Sequence, residues 1–234
     1  MSRLSIIIPA LNEEENLPRL FESLAPLLRF DIEIIVVDGG STDQTVEVGR
    51  RGGAELIYAE RGRGRQLRAG GAVASGRLLL FLHADSLLTA KAIEDIQFSL
   101  ANPDFRIALF RLRFNSPRLI YRLYAFFARF DSLWTTFGDQ GVLIDRDFYN
   151  QLGGFPDTSL FEDVLLLRRA RREGRIEKFE GEIITSTRRY LEVGAVRLQV
   201  RNLMLLSRYL AGGEPESLAA KYRDRDKNKN SNQK

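Results

Sequence analysis

The 234-residue chain has no cysteine and a single histidine, His83. The first absence excludes disulfides, thiolate metal sites and a cysteine nucleophile. The second excludes a histidine-rich zinc site. Any metal would therefore be held mainly by oxygen, which favours Mg2+ or Mn2+. Long apolar runs are also missing, and none approaches the roughly 18 residues that a bilayer-spanning helix needs. The opening MSRLSIIIPALNEEEN has a short apolar run followed at once by acids, so it reads as a first strand and not as a signal peptide. These features predict a cytoplasmic location, with peripheral contact at the inner face of the plasma membrane left open.

Net charge is small, 35 basic against 31 acidic residues. The excess is local. The stretch from Lys221 on carries six Lys/Arg and two Asp, which leaves 29 of each sign in residues 1–220. The basic balance thus belongs to a polar stretch, 221–234, expected to be disordered. It is no argument for a nucleic-acid partner.

Hydrophobic periodicity alternates along the first half. Leu4–Ile8 is a buried strand ended by Pro9, and Glu13–Leu28 a helix with Asn12 as N-cap. Ile32–Val37 is a second strand, and Thr42 or Asp43 starts the next helix. Strands over Ala54–Ala59 and Leu78–Leu82 flank a helix over Gln66–Ala74, and a helix over Thr89–Leu100 follows. This alternation predicts an α/β fold, a Rossmann-like, mostly parallel sheet with helices on both faces. Ligands in such sheets bind beyond the carboxyl ends of the strands. Asp38 and Asp85 fall there, so both should face one crevice. Further on, Arg106–Phe114 and Gln140–Ile144 read as strands. Pro117–Phe130, Asp145–Leu152, Phe161–Glu173 and Val193–Leu210 read as helices, with short strands reaching about Thr187. No linker divides the chain. The expectation is a single domain over 1–220, with a first half (1–101) and a second half with C-terminal helices (102–220).

Five segments occur in a telling order: SIIIPALNEEENL, VVDGGSTDQT, LLLFLHADS, GDQGVLIDRDFYNQLGGF and FEDVLLLRRARREG. Together they resemble the family 2 glycosyltransferases, which have the GT-A fold. GRGRQLRAGGAVASGRLLLFLHAD further resembles a bacterial subgroup with His-Ala-Asp in place of Asp-x-Asp. The resemblance implies that Pro9, Asn12, Glu13, Asp38, Asp43, Arg65, Gln66, His83 and Ala84 bind a nucleotide-sugar. Asp85 would hold the metal, Mn2+ or Mg2+, with donor phosphates and water completing the shell. Asp139, Gln140 and Gly141 would bind the acceptor. Asp163 would be the catalytic base, with Glu162 orienting the acceptor. The chemistry needs such a base, because the acceptor hydroxyl must lose a proton as it attacks the anomeric carbon.

The implied activity is inverting transfer of a hexose from a nucleotide-sugar, UDP foremost, to an acceptor hydroxyl. Two alternatives stand: a non-catalytic nucleotide-sugar or lipid binder of the same fold, and a nucleotidyltransferase. The second usually carries a Gly-rich basic loop after the first strand, where this chain has PALNEEEN. The glycine-spaced arginines of Arg61–Arg68 read as a loop able to approach a diphosphate. Finally, Arg118, Arg122 and Arg129 form a stripe on an aromatic-rich helix, and Arg197, Arg201 and Arg208 repeat the spacing. Such helices can lie on a membrane surface, which would favour a lipid, carotenoid or polyprenyl acceptor.

Overall fold

The structure is a computed structural model that describes residues 4–129, 140–158, 161–187, 194–210 and 212–213. Asp139 and the 221–234 stretch lie outside them. The strands are β1 (Leu4–Ala10), β2 (Ile32–Asp38), β3 (Glu55–Tyr58), β4 (Leu78–Phe81), β5 (Leu87–Leu88), β6 (Ile107–Phe114), β7 (Val142–Asp145) and β8 (Glu177–Thr185). The helices are α1 (Leu17–Leu24), α2 (Thr45–Arg51), α3 (Arg63–Val73), α4 (Ala90–Ala101), α5 (Leu119–Phe127), α6 (Arg146–Gln151), α7 (Glu162–Glu173) and α8 (Ala195–Leu210).

The strands form one sheet in the order β3-β2-β1-β4-β7-β6-β8-β5. β1 to β4 are parallel, and β6 and β8 are parallel to each other. β7 runs against both its neighbours, and β5 runs against β8. The sheet is therefore mostly parallel, as the alternating periodicity predicts.

Both faces are covered, and the period of two decides what goes where. Leu4, Ile6 and Ile8 of β1 point to one core with α1 (Leu17, Leu20, Leu24) and α4 (Ile93, Ile96, Leu100). Ile7 points to the other, with Leu67 of α3, Phe148 and Tyr149 of α6, and Leu166 and Leu167 of α7. β2 and β4 alternate in the same way, which is why these strands read as unbroken apolar runs.

Local boundaries differ from the sequence expectation in instructive ways. The helix expected from Glu13 starts at Leu17 and closes in a 3-10 turn over Ala25–Leu27. Asn12 is not its N-cap. It sits at φ 57°, and its side-chain oxygen accepts from the Thr42 N–H instead (2.8 Å). A short polar side chain competes here with the helix for backbone partners. The basic run expected as a loop is helical from Arg63 on. The short strands near Thr187 are one strand, β8, and β5 was not foreseen because two residues carry no periodic signal.

α3 lies unusually close to the sheet. A Cβ at Gly70 would overlap Ile7 Cγ2 and stand 2.9 Å from Val37 Cγ2, so glycine permits the approach. At the helix's first turn, a Cβ at Gly64 would stand 2.7 Å from the Thr158 carbonyl and 3.1 Å from Glu162 Cβ.

Candidate active site

The sheet order reverses at β1, which has β2 on one side and β4 on the other. Such a switch point opens a crevice beyond the strand ends. The loops after β1, β2 and β4 all rise there.

The first two loops are tied to each other. Asn12 N–H donates to Ser41 Oγ (3.0 Å), Glu13 N–H to Thr45 Oγ1 (2.7 Å) and Glu14 N–H to Asp43 Oδ2 (3.2 Å). Gln44 N–H returns a bond to Glu14 Oε2 (2.8 Å). Asp38 is buried at the end of β2, and its carboxylate accepts from the Gly40 and Ser41 N–H groups (3.0 and 3.1 Å). Desolvation opposes the charge of Asp43. The hydroxyl and N–H of Thr45 and the N–H of Glu14 outweigh it and hold the carboxyl below its ordinary range. Glu13 accepts from the Asn16 side-chain amide (2.5 Å). Pro9 is half-buried, paired with Val37.

Gln66 is not in a solvent loop. It is buried in α3, and its Nε2 donates to the Ala10 and Val37 carbonyls, each at 2.8 Å. It bridges the ends of β1 and β2. Arg65 is exposed and pairs with Glu60 (2.7 Å) and Asp157 (3.1 Å).

After β4 the chain turns tightly, with Ser86 N–H donating to the His83 carbonyl (3.1 Å). The turn separates its members. Ala84 is buried. Asp85 lines a shallow cleft with Asn16 and Arg19 from the β1 side and Asn115, Thr185 and Ser186 from the β6–β8 side. His83 lines a second, smaller cleft with Arg63, Leu67, Phe155 and Asp163. Asp38 and Asp85 thus stand at the same end of the sheet with β1 between their strands, but they face different surroundings. No group of three His, Asp or Glu side chains converges on a metal position among the described residues. The donor set around Asp85 is one carboxylate with neutral amide and hydroxyl oxygens. That fits a hard cation only where a ligand's own oxygens complete the shell.

Glu162 and Asp163 open α7 and are both buried. Phe161 precedes them in the left-handed region (φ 63°) and stacks on Tyr209 of α8 at 5.1 Å between ring centroids. Arg63 hydrogen-bonds Glu162 and reaches Asp163 Oδ2 at 3.7 Å. Asp163 Oδ1 also accepts from the Val164 N–H (2.8 Å). Burial opposes ionisation of Glu162, but the Arg63 guanidinium, the Glu162 N–H and His83 hold its carboxyl below the ordinary range. Gln140 is buried and accepts from the Lys178 ammonium. Gly141 has φ 63°, and a Cβ there would overlap Ile183 Cδ1.

Sequence reasoning found the acids but not all their companions. Asn115 and Ser186 reach Asp85 only through β6–β8 pairing, which has no local signal. Asn16 and Arg19 lie in a stretch read simply as helix. Arg63 belongs to the basic run, but its acidic partners are distant in sequence.

The model of the family "Glycosyl transferase family 2" matches residues 5–162. Dolichyl-phosphate beta-glucosyltransferase of Drosophila melanogaster is 38% identical over 99 residues, 35% of this chain and 30% of that protein. The 4,4'-diaponeurosporenoate glycosyltransferase of Staphylococcus haemolyticus is 24% identical over 219 residues, 89% of this chain and 57% of that protein. The chain therefore spans well under two thirds of the length of these relatives. Among solved structures, S. aureus TarS aligns with a TM-score of 0.63 at 20% identity, covering 88% of this chain and 64% of that one. Glucosyl-3-phosphoglycerate synthase from Mycobacterium tuberculosis, in complex with Mn2+, UDP and glucosyl-3-phosphoglycerate, aligns at 0.61 and 21% identity, covering 88% and 80%. The sheet, the order of the acidic motifs and a family match over more than half of the chain agree: this chain belongs to glycosyl transferase family 2 and has the GT-A fold.

Proposed function

We propose that the protein is an inverting glycosyltransferase that moves a hexose from a nucleotide-sugar, UDP-linked foremost, to an acceptor hydroxyl. The observation that carries this reading is the buried Asp163 at the start of α7, facing a cleft shared with Arg63 and His83. Asp163 accepts the hydroxyl proton as the acceptor oxygen bonds to the anomeric carbon. The bond from that carbon to the donor phosphate breaks, the nucleoside diphosphate leaves, and the anomeric centre inverts. Asp38 and the zipped loops after β1 and β2 receive the nucleoside. Asp85 holds Mn2+ or Mg2+, which when bound neutralises charge on the leaving diphosphate. The complex of glucosyl-3-phosphoglycerate synthase with Mn2+ and UDP supports the choice of donor and metal.

A panel of UDP-, GDP-, dTDP- and CDP-sugars with Mn2+, read by thermal shift and then by transfer or donor hydrolysis, tests this reading. Binding without any turnover would favour the non-catalytic binder. Asp85→Ala should abolish transfer while the protein stays folded.

A lipid-borne acceptor is favoured by α5. Its Tyr121 is buried against Phe114, while Leu119 (76% exposed), Leu123 (51%), Phe126 (48%) and Phe127 (49%) face outward. Arg118, Arg122 and Arg129 flank that face, and α5 and its flanks from Pro117 to Arg129 contain no acid. An apolar face with cationic flanks suits an anionic lipid surface. No helix among the described residues is long and apolar enough to cross a membrane, so the contact would be peripheral. The protein should sediment with phosphatidylglycerol-containing liposomes at low salt, and Leu123→Asp should reduce the bound fraction. Wild-type protein that stays in the supernatant would remove the membrane contact from the proposal.

A further inference from the structure

We infer that Arg63 is a positioning residue for the acid pair: it fixes the start of α7 against α3 and aims Asp163, rather than binding the donor diphosphate. The inference rests on the reading of Asp163 as the base. Glycine-spaced arginines before a helix suggest phosphate binding, but the geometry divides them. Arg65 is turned to Glu60 and Asp157. Arg63 is turned across the cleft to Glu162 and Asp163, whose side chains are only 4% and 8% exposed.

Three independent contacts converge on this junction. Gly64 leaves no room for a side chain between α3 and Pro156, Thr158 and Glu162. Arg65 ties down Asp157, between Pro156 and Thr158. Arg63 ties down the two acids that follow. The first turn of α3 is thus a platform on which the entry to α7 is seated. Phe161 enters α7 in the left-handed region and gives it no side-chain cap, so contacts from outside the helix hold this entry.

Electrostatics requires the same partner. Two adjacent buried carboxylates repel each other and lose hydration, and an opposite charge nearby restores the ionised forms. Among the described residues, the charged and titratable groups around Asp163 include Arg63 from α3, His83 from the end of β4 and Glu162 on α7 itself. Arg63 spans both acids with one planar fork, a geometry lysine does not reproduce.

The test separates positioning from diphosphate binding. In Arg63→Met, the acid limb of the kcat/KM profile should move up by about one pH unit or more. Binding of UDP with Mn2+, measured by calorimetry, should change less than about threefold, a shift of under 1 kcal/mol. Arg63→Lys should restore part of the limb. Adding Glu162→Gln to Arg63→Met should move it back toward the wild type by removing the repelling charge, and this pair also serves if Arg63→Met alone folds poorly. A tenfold or greater loss of UDP affinity with an unmoved limb would overturn the inference and give Arg63 to the diphosphate. An unmoved limb with unchanged affinity would overturn it too. A fully active Asp163→Asn enzyme would instead remove the underlying reading of the base.

Discussion

Gln66 and Asp163 show how similar polar residues near one site divide into support and chemistry. The Gln66 amide is committed to two main-chain carbonyls at the ends of β1 and β2. Replacing it with leucine leaves both acceptors without that donor inside the protein. Gln66→Leu should cost about 1–3 kcal/mol, seen as a lower denaturant midpoint at an unchanged m-value. Asp163 accepts the Val164 N–H through Oδ1, while Oδ2 faces Arg63 across the cleft. Asp163→Asn keeps the shape and removes the proposed base. Transfer should fall by about a hundredfold or more, with the melting temperature little changed; wild-type rates would sink the mechanism. Asp38 and Asp43 stand between these extremes, since both already satisfy loop N–H groups. Their first contribution is to hold the loop after β2 in shape.

At the scale of the element, α3 joins the two halves of the site. Gly70 lets it press on β1 and β2, and its arginines reach Asp157 and the first turn of α7. Gly70→Ala raises helix propensity but forces a methyl group into Ile7 and Val37. It should destabilise the fold by about 1–3 kcal/mol through overpacking, measurable by urea unfolding; a stabilised variant would show that α3 can shift outward. Much of this architecture was legible in the sequence. β1, β2 and β4 announce themselves as apolar runs, and the helix expected over Thr89–Leu100 is α4, with Thr89 as its N-cap accepting from the Ala92 N–H. Asp38 and Asp85 were legible because turns after buried strands are punctuated by Asp, Gly and Ser, whereas Glu162 and Asp163 stood out only through the resemblance to family 2 glycosyltransferases. What stayed hidden depends on tertiary choice. Asn12 gave up a helix start for a contact with Thr42, far along the chain. The basic run is helical from Arg63 because its partners are tertiary: Gly64 packs on the Pro156 and Thr158 carbonyls and Glu162, and Arg63 pairs with Glu162. The surroundings of Asp85 are assembled by strand pairing, which no local pattern encodes.

Over the whole molecule, acidic groups set the response to pH. Glu33 joins β2 to the turn before β4. Burial works against its charge, but Ser5, Ser75 and Gly76 donate to it and hold its carboxyl below the ordinary 4.5. Asp43 and Glu162 are lowered in the same direction. A lowered carboxyl contributes its full stability above the unfolded pKa and loses it as pH falls through the folded one. Melting temperatures should therefore hold steady above the ordinary carboxylate range and drop below it; a melting temperature that rises on acidification would contradict this. The sheet carries a different kind of consequence. β5 belongs to the first half of the chain, yet it pairs with β8, and α4 packs so closely on β8 that Gly181 has no room for a Cβ beside Ala92. Asp95 of α4 accepts the Gly181 N–H at 2.7 Å. A ribosome that has released residues 1–101 has made four neighbouring parallel strands, but Leu87, Leu88 and the inner side of α4 still wait for a cover that emerges only with Gly181–Thr185. A fragment cut after Ala101 should accordingly be sticky alone and be rescued by co-expression with the remainder. At this edge, the order of synthesis and the order of assembly are different.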